Sequence, residues 1–176
     1  EFCRWVCMAI SFRRTKKSDE NSMVDRVTGA FNRRQLDIDL AAGVDSSGLP
    51  TATLQIEIDG FHRFGKRRDE VSADEVLERV AWVVMATVRT TDVVYRHWHS
   101  SFCVLLPATT SVDAKAVAER IRSNIESTPL LAGTNVTVSV GVAVGGDSEP
   151  VRETAHRAGA ALASVPGSGG NIVVHD

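Results

Sequence analysis

Residues 93–107, VVYRHWHSSFCVLLP, are two apolar runs around a polar middle, and they restrict the fold more than any other stretch. Two such runs joined so closely pair antiparallel, as a hairpin. The other strand-like runs stand apart with helices between them. TATLQIEI (51–58) sets Leu54, Ile56 and Ile58 on one face. VTVSVGVAV (136–144) carries a valine at every second position, the period of a half-buried strand. NIVV (171–174) makes a short closing strand. Helical spacing appears in SADEVLERVAWVVMATVRTT (72–91), where Val76, Leu77, Val80, Val84 and Val88 repeat and Ser72 with Glu75 forms a capping box. SVDAKAVAERIRSNIE (111–126) turns Val117, Ala118, Ile121 and Ile125 inward, and VRETAHRAGAALASV (151–165) is a helix ending at Pro166. Residues 24–44 hold a turn at Gly29 and then a helix. Helices that alternate with strands, around one hairpin, predict an α/β (α+β) fold with a mixed central sheet and helices on both faces.

The hairpin turn is expected at His97–Ser101, and its composition is odd. Tight turns favour Gly, Asn or Asp, because the backbone there often takes positive φ. Here a tryptophan stands between two histidines.

The chain has 176 residues, enough for one domain with a real core. A net charge of −2 gives no global field for nucleic acid. Three cysteines, Cys3, Cys7 and Cys103, have no framework spacing and fit a reducing compartment such as the cytoplasm. The segment CRWVCMAISF (3–12) is apolar and RRTKK (13–17) follows it. A spanning helix needs about 20 apolar residues, so this run alone cannot cross a membrane. Two readings stand: the cytoplasmic end of a membrane tether, or a lead-in helix that packs on its own domain or a partner chain. Residues 1–23 are therefore set apart as a lead-in or juxtamembrane helix, and 24–176 as the domain.

Four stretches in order resemble the GGDEF (diguanylate cyclase) domain, over roughly 24–175. DRVTGAFNRR (25–34) is similar to the family's opening D-x-L-T-G-L-x-N-R-R, EIDGFHRF (57–64) to D-I-D-x-F-K, ADEVL (73–77) to G-D-E-V-L, and VTVSVGVA (136–143) to V-T-x-S-I-G-V-A. The resemblance implies a fold like the class III nucleotidyl cyclases and polymerase palm domains. It also implies a place in bacterial cyclic di-GMP signalling. Members condense two GTP molecules, one on each domain of a dimer. The signature Gly-Gly-Asp/Glu-Glu-Phe falls on Trp98-His99-Ser100-Ser101-Phe102, and only the phenylalanine remains.

On that alignment the chemistry is expected to be lost. Phosphoryl transfer needs divalent cations on carboxylates and a grip on phosphates. Ser100 and Ser101 are neutral, whereas Mg²⁺ wants carboxylate oxygen. Trp98 and His99 would fill the space two glycines leave for the nucleotide. Glu57 replaces the first metal-ligand aspartate, while Asp59 is kept. His62 replaces a phosphate lysine, Gly65 a guanine-reading asparagine, and Pro166 a second phosphate lysine; Asp74, the other guanine reader, stays. The expectation is no cyclase activity, no bound Mg²⁺ and no cofactor. His97, His99 and Cys103, with His62, bear ligand types that suit zinc or copper, but they read more simply as turn histidines beside an aromatic plug.

RTTD (89–92) lies five residues before the altered turn, the spacing of the family's inhibitory R-x-x-D site for cyclic di-GMP. Arg89 can grip phosphate or stack on guanine, and Asp92 can accept from guanine N–H groups. Arg120 falls where some members add a second arginine, with Arg122 a neighbouring candidate. Arg89 also suits the negative end of its helix, with no ligand involved. Three functions follow: a cyclic di-GMP receptor or regulatory module; a nucleotide-independent dimerisation or partner-docking scaffold with Trp98 as anchor; and, ranked last, a residual enzyme using Glu57 and Asp59.

Overall fold

The computed structural model describes residues 22–43, 50–65, 71–129, 135–146, 149–165 and 170–176. The apolar and basic N-terminal segment and Pro166 lie outside the described residues. Among the described residues no helix is long and apolar enough to cross a membrane.

Helix α1 is Arg33–Ala42, strand β1 Ala52–Ile58, and a short 3₁₀ turn Phe61–Arg63 follows. Then come α2 (Ala73–Thr87), β2 (Val93–Trp98), β3 (Ser101–Leu106), α3 (Ser111–Ser127), β4 (Val138–Val144), α4 (Val151–Ala163) and β5 (Val173–His175). The sheet order is β2-β3-β1-β4-β5. β1 runs antiparallel to both β3 and β4, and β5 runs parallel to β4, so the expected mixed sheet is present.

β1 is central and covered on both sides, so six of its seven residues are buried. Leu54, Ile56 and Ile58 join Val138, Val140 and Val142 against the inner stripes of α2 and α3. The opposite face holds a smaller cluster of Leu36 from α1, Tyr95, Cys103 and Leu105, with Val151 at the start of α4. α4 lies close on β4 because both present small residues. A Cβ on Gly141 would overlap Ala158's carbonyl oxygen and sit 2.9 Å from Leu162's Cβ. Only glycine permits that approach.

α2 starts as read, with Ser72 Oγ accepting from Glu75's N–H while Glu75 reaches back to Ser72's N–H. It ends four residues earlier than the spacing predicts. Asp92's carboxylate accepts the Arg89 N–H at 2.8 Å, and Asp92's N–H donates to Arg89's carbonyl at 3.1 Å. This closed turn ends the helix. The hairpin connection is also tighter than expected. Trp98 pairs with Ser101, leaving only His99 and Ser100 between the strands.

Candidate functional site

Strand register builds the hairpin end into one row. Trp98 pairs with Ser101, Ser101 with Glu57, and Glu57 with Ser139, so the four side chains share the face of α1 and α4. A two-residue hairpin usually takes positive φ at its centre, yet neither His99 nor Ser100 does. The register instead shifts between Arg96 and Trp98, and that irregularity supplies the extra twist. Arg96 then holds the turn: Nη1 donates to both Asp25 oxygens at 3.1 Å, and Nη2 to His99's carbonyl at 3.2 Å. Asp25 also accepts from Thr28's N–H and hydroxyl, at 2.9 and 2.7 Å. The opening DRVTG motif is thus tied to the hairpin, an anchoring role the sequence reading missed.

Trp98 is 64 % exposed and His99 is exposed too. The row ends at the sheet edge, where no layer covers it, and Arg33's Cζ stands 6.0 Å from the indole centre.

The two retained carboxylates have separate fates. Glu57 is exposed on the sheet, between Ser101 and Ser139. Asp59 accepts three hydrogen bonds: from Thr137 Oγ1 at 2.7 Å, Ser139 Oγ at 2.8 Å and Asn171's N–H at 2.7 Å. Gly170 makes room for this, since a Cβ there would lie 2.6 Å from Asp59's Cγ. The sequence signal was the small hydroxyls alternating with valines in VTVS. These bonds tie β1's end to β4 and to Asn171.

His62 and Gly65 are exposed after β1, and Asp74 is exposed in the first turn of α2. Gly65 lies against α2's start, where a Cβ would be 3.5 Å from Ala73's nitrogen, so Gly65 and Asp74, the two positions the resemblance linked to guanine, do converge. The histidine and cysteine group does not. Cys103 is fully buried, which pushes its thiol up to about 12. His97 is half-buried, and burial with nearby Arg33 lowers its pKa. Among the described residues no three His, Cys, Asp or Glu side chains could hold a metal ion.

At the far end of α2 the other residue set assembles. Arg89 is exposed, and its guanidinium makes no hydrogen bond or ion pair among the described residues. Arg120 Nη2 donates to Thr87's carbonyl at 3.3 Å, which brings α3's arginine to within two residues of Arg89. Arg122 is excluded from this group. It pairs with Glu119 and Glu126 and donates to Asn171 Oδ1 at 2.6 Å. Those bonds hold both glutamates below the usual carboxylate range.

Comparison with known proteins agrees with this geometry. The profile of the family described as diguanylate cyclase, GGDEF domain, matches residues 22–171. The response regulator PleD of Caulobacter vibrioides is 33 % identical over 165 residues, 88 % of this chain and 36 % of PleD. The chain therefore spans about a third of the length of such curated relatives. Among solved structures, the diguanylate cyclase SiaD of Pseudomonas aeruginosa, in complex with its activator SiaC, superposes with a TM-score of 0.79 at 29 % identity. That match covers 99 % of this chain and 66 % of SiaD. The GGDEF domain of DgcB from Caulobacter crescentus, in complex with c-di-GMP, gives 0.77 at 25 % identity over 93 % of this chain and 98 % of that domain. With the mixed sheet, the hairpin and the ordered motifs in place, the chain belongs to the GGDEF domain family.

Proposed function

We propose that this chain is a GGDEF domain that no longer condenses GTP and that binds cyclic di-GMP at Arg89, Asp92 and Arg120 as a receptor or regulatory module. The observation that carries the reading is the docking of Arg120 on Thr87's carbonyl beside an exposed, unpaired Arg89. Two guanidiniums and a carboxylate at one helix end supply phosphate and guanine contacts together. The loss of catalysis is supported at the other end of the sheet. Ser100 and Ser101 stand where acids are needed, and Asp59's oxygens are taken by three donors. Glu57 is then the one free carboxylate in the row. Such a module would act in the cytoplasm, where the nucleotide is.

The test is calorimetric titration with cyclic di-GMP. Binding by the wild type and its loss in Arg89→Ala, by at least about tenfold in affinity, are expected. Incubation with GTP and Mg²⁺ or Mn²⁺ is expected to yield no cyclic di-GMP, and formation of that product would overturn the catalytic half of the reading.

A second reading, a docking or dimerisation scaffold, is favoured by one observation. Trp98, with Phe31 and Ile38, is an exposed large hydrophobic residue on or beside α1 and the hairpin. It predicts self-association or partner capture that Trp98→Ala weakens and that nucleotide leaves unchanged. Equal association by the variant would remove it.

A further inference from the structure

Two residues of α3, one turn apart, reach the same residue at the end of α2. Arg120 Nη2 donates to Thr87's carbonyl at 3.3 Å, and Asn124 Nδ2 donates to Thr87's hydroxyl at 3.1 Å. That hydroxyl in turn donates to Val83's carbonyl at 2.7 Å, which fixes its lone pairs toward Asn124. The link is exposed, so burial of apolar area does not explain it. Among the described residues, Arg120 uses one of its five N–H groups on Thr87 and leaves the others free. A long side chain loses rotamer freedom when it grips a ligand, and a side chain seated beforehand has already given up part of that freedom.

We propose that Thr87 and Asn124 are positioning residues that preset Arg120 for an anionic cyclic dinucleotide held at Arg89 and Asp92. The inference rests on the binding reading above. It adds that the polar link from α3 to α2's last residue serves the site. Thr87 serves through two atoms: its carbonyl seats the guanidinium, and its hydroxyl holds Asn124. Asn124 is four residues after Arg120 on the same face of α3, so its bond keeps that face turned toward Arg89.

A double-mutant cycle on the full chain, titrated calorimetrically with cyclic di-GMP, separates positioning from general stability. Asn124→Ala is expected to weaken binding about three- to tenfold, with the melting temperature of the free protein unchanged. In an Arg120→Ala background the same substitution is expected to cost nothing further. Thr87→Ser, which keeps the hydroxyl, is expected to bind like wild type, and Thr87→Val to match Asn124→Ala. Equal losses from Asn124→Ala in both backgrounds, or no loss in either, would overturn the proposal. If Arg89→Ala abolishes binding while the Asn124 and Thr87 variants bind normally, only this inference fails. A wild type that does not bind cyclic di-GMP removes the binding reading and this inference with it.

Discussion

Asp59 has both carboxylate oxygens committed, Oδ1 to Ser139 and Oδ2 to Thr137 and Asn171. Asn171's N–H can only donate, so Asp59→Asn would keep its amide oxygen there, turn its N–H₂ to Ser139's hydroxyl, and lose the charge that strengthens all three bonds. Urea unfolding is expected to show a loss of about 1–3 kcal/mol. Cys103 and Tyr95 predict the pH response. Burial pushes the Cys103 thiol up to about 12. Burial and the hydrogen bond to Asp39, 2.7 Å from the hydroxyl, raise Tyr95 above its ordinary value. Both acids stay neutral in the fold, whereas the unfolded chain ionises cysteine near pH 8.5 and tyrosine near pH 10 (both about the model-peptide values). Their contribution is therefore complete below about pH 8.5 and is lost as pH rises toward 12, at roughly 1.4 kcal/mol per pH unit for each group once ionised. Stability measured across pH 7.5–10.5 is expected to fall, and a flat profile would contradict the burial of both groups.

The elements were largely legible because their periods are clean. Alternating valines gave β4, the capping box gave the start of α2, and the order of runs gave a mixed sheet. Their ends were not legible, because they depend on single hydrogen bonds. Asp92 stops α2 by taking Arg89's N–H, and the irregularity before Trp98 lets a two-residue turn form without glycine. Nor does periodicity show which faces approach closely. The α4–β4 contact depends on Gly141 having no side chain beside Ala158. Gly141→Ala is expected to destabilise by about 3 kcal/mol, read as a lower urea midpoint, because backbone must move to admit the methyl. Arg96's hold on Asp25 and His99 is likewise a tertiary fact, since 71 residues separate Arg96 from Asp25 in the chain.

Across the whole molecule, the two ends of the sheet carry different residue sets. Motif resemblance pointed to the hairpin and the R-x-x-D pair, since both are local in sequence. It left Arg120 and Arg122 as rivals, and only the packing of α3 on α2 separated them. One end of the fold carries exposed Trp98, His99 and Glu57 with the two serines of the hairpin. The other carries an open arginine beside a docked one. The most direct measurement titrates one sample with cyclic di-GMP and, separately, with GTP and Mg²⁺ in a calorimeter. The account predicts saturable heat with the cyclic dinucleotide and none with the triphosphate; heat with GTP and Mg²⁺ alone would contradict it.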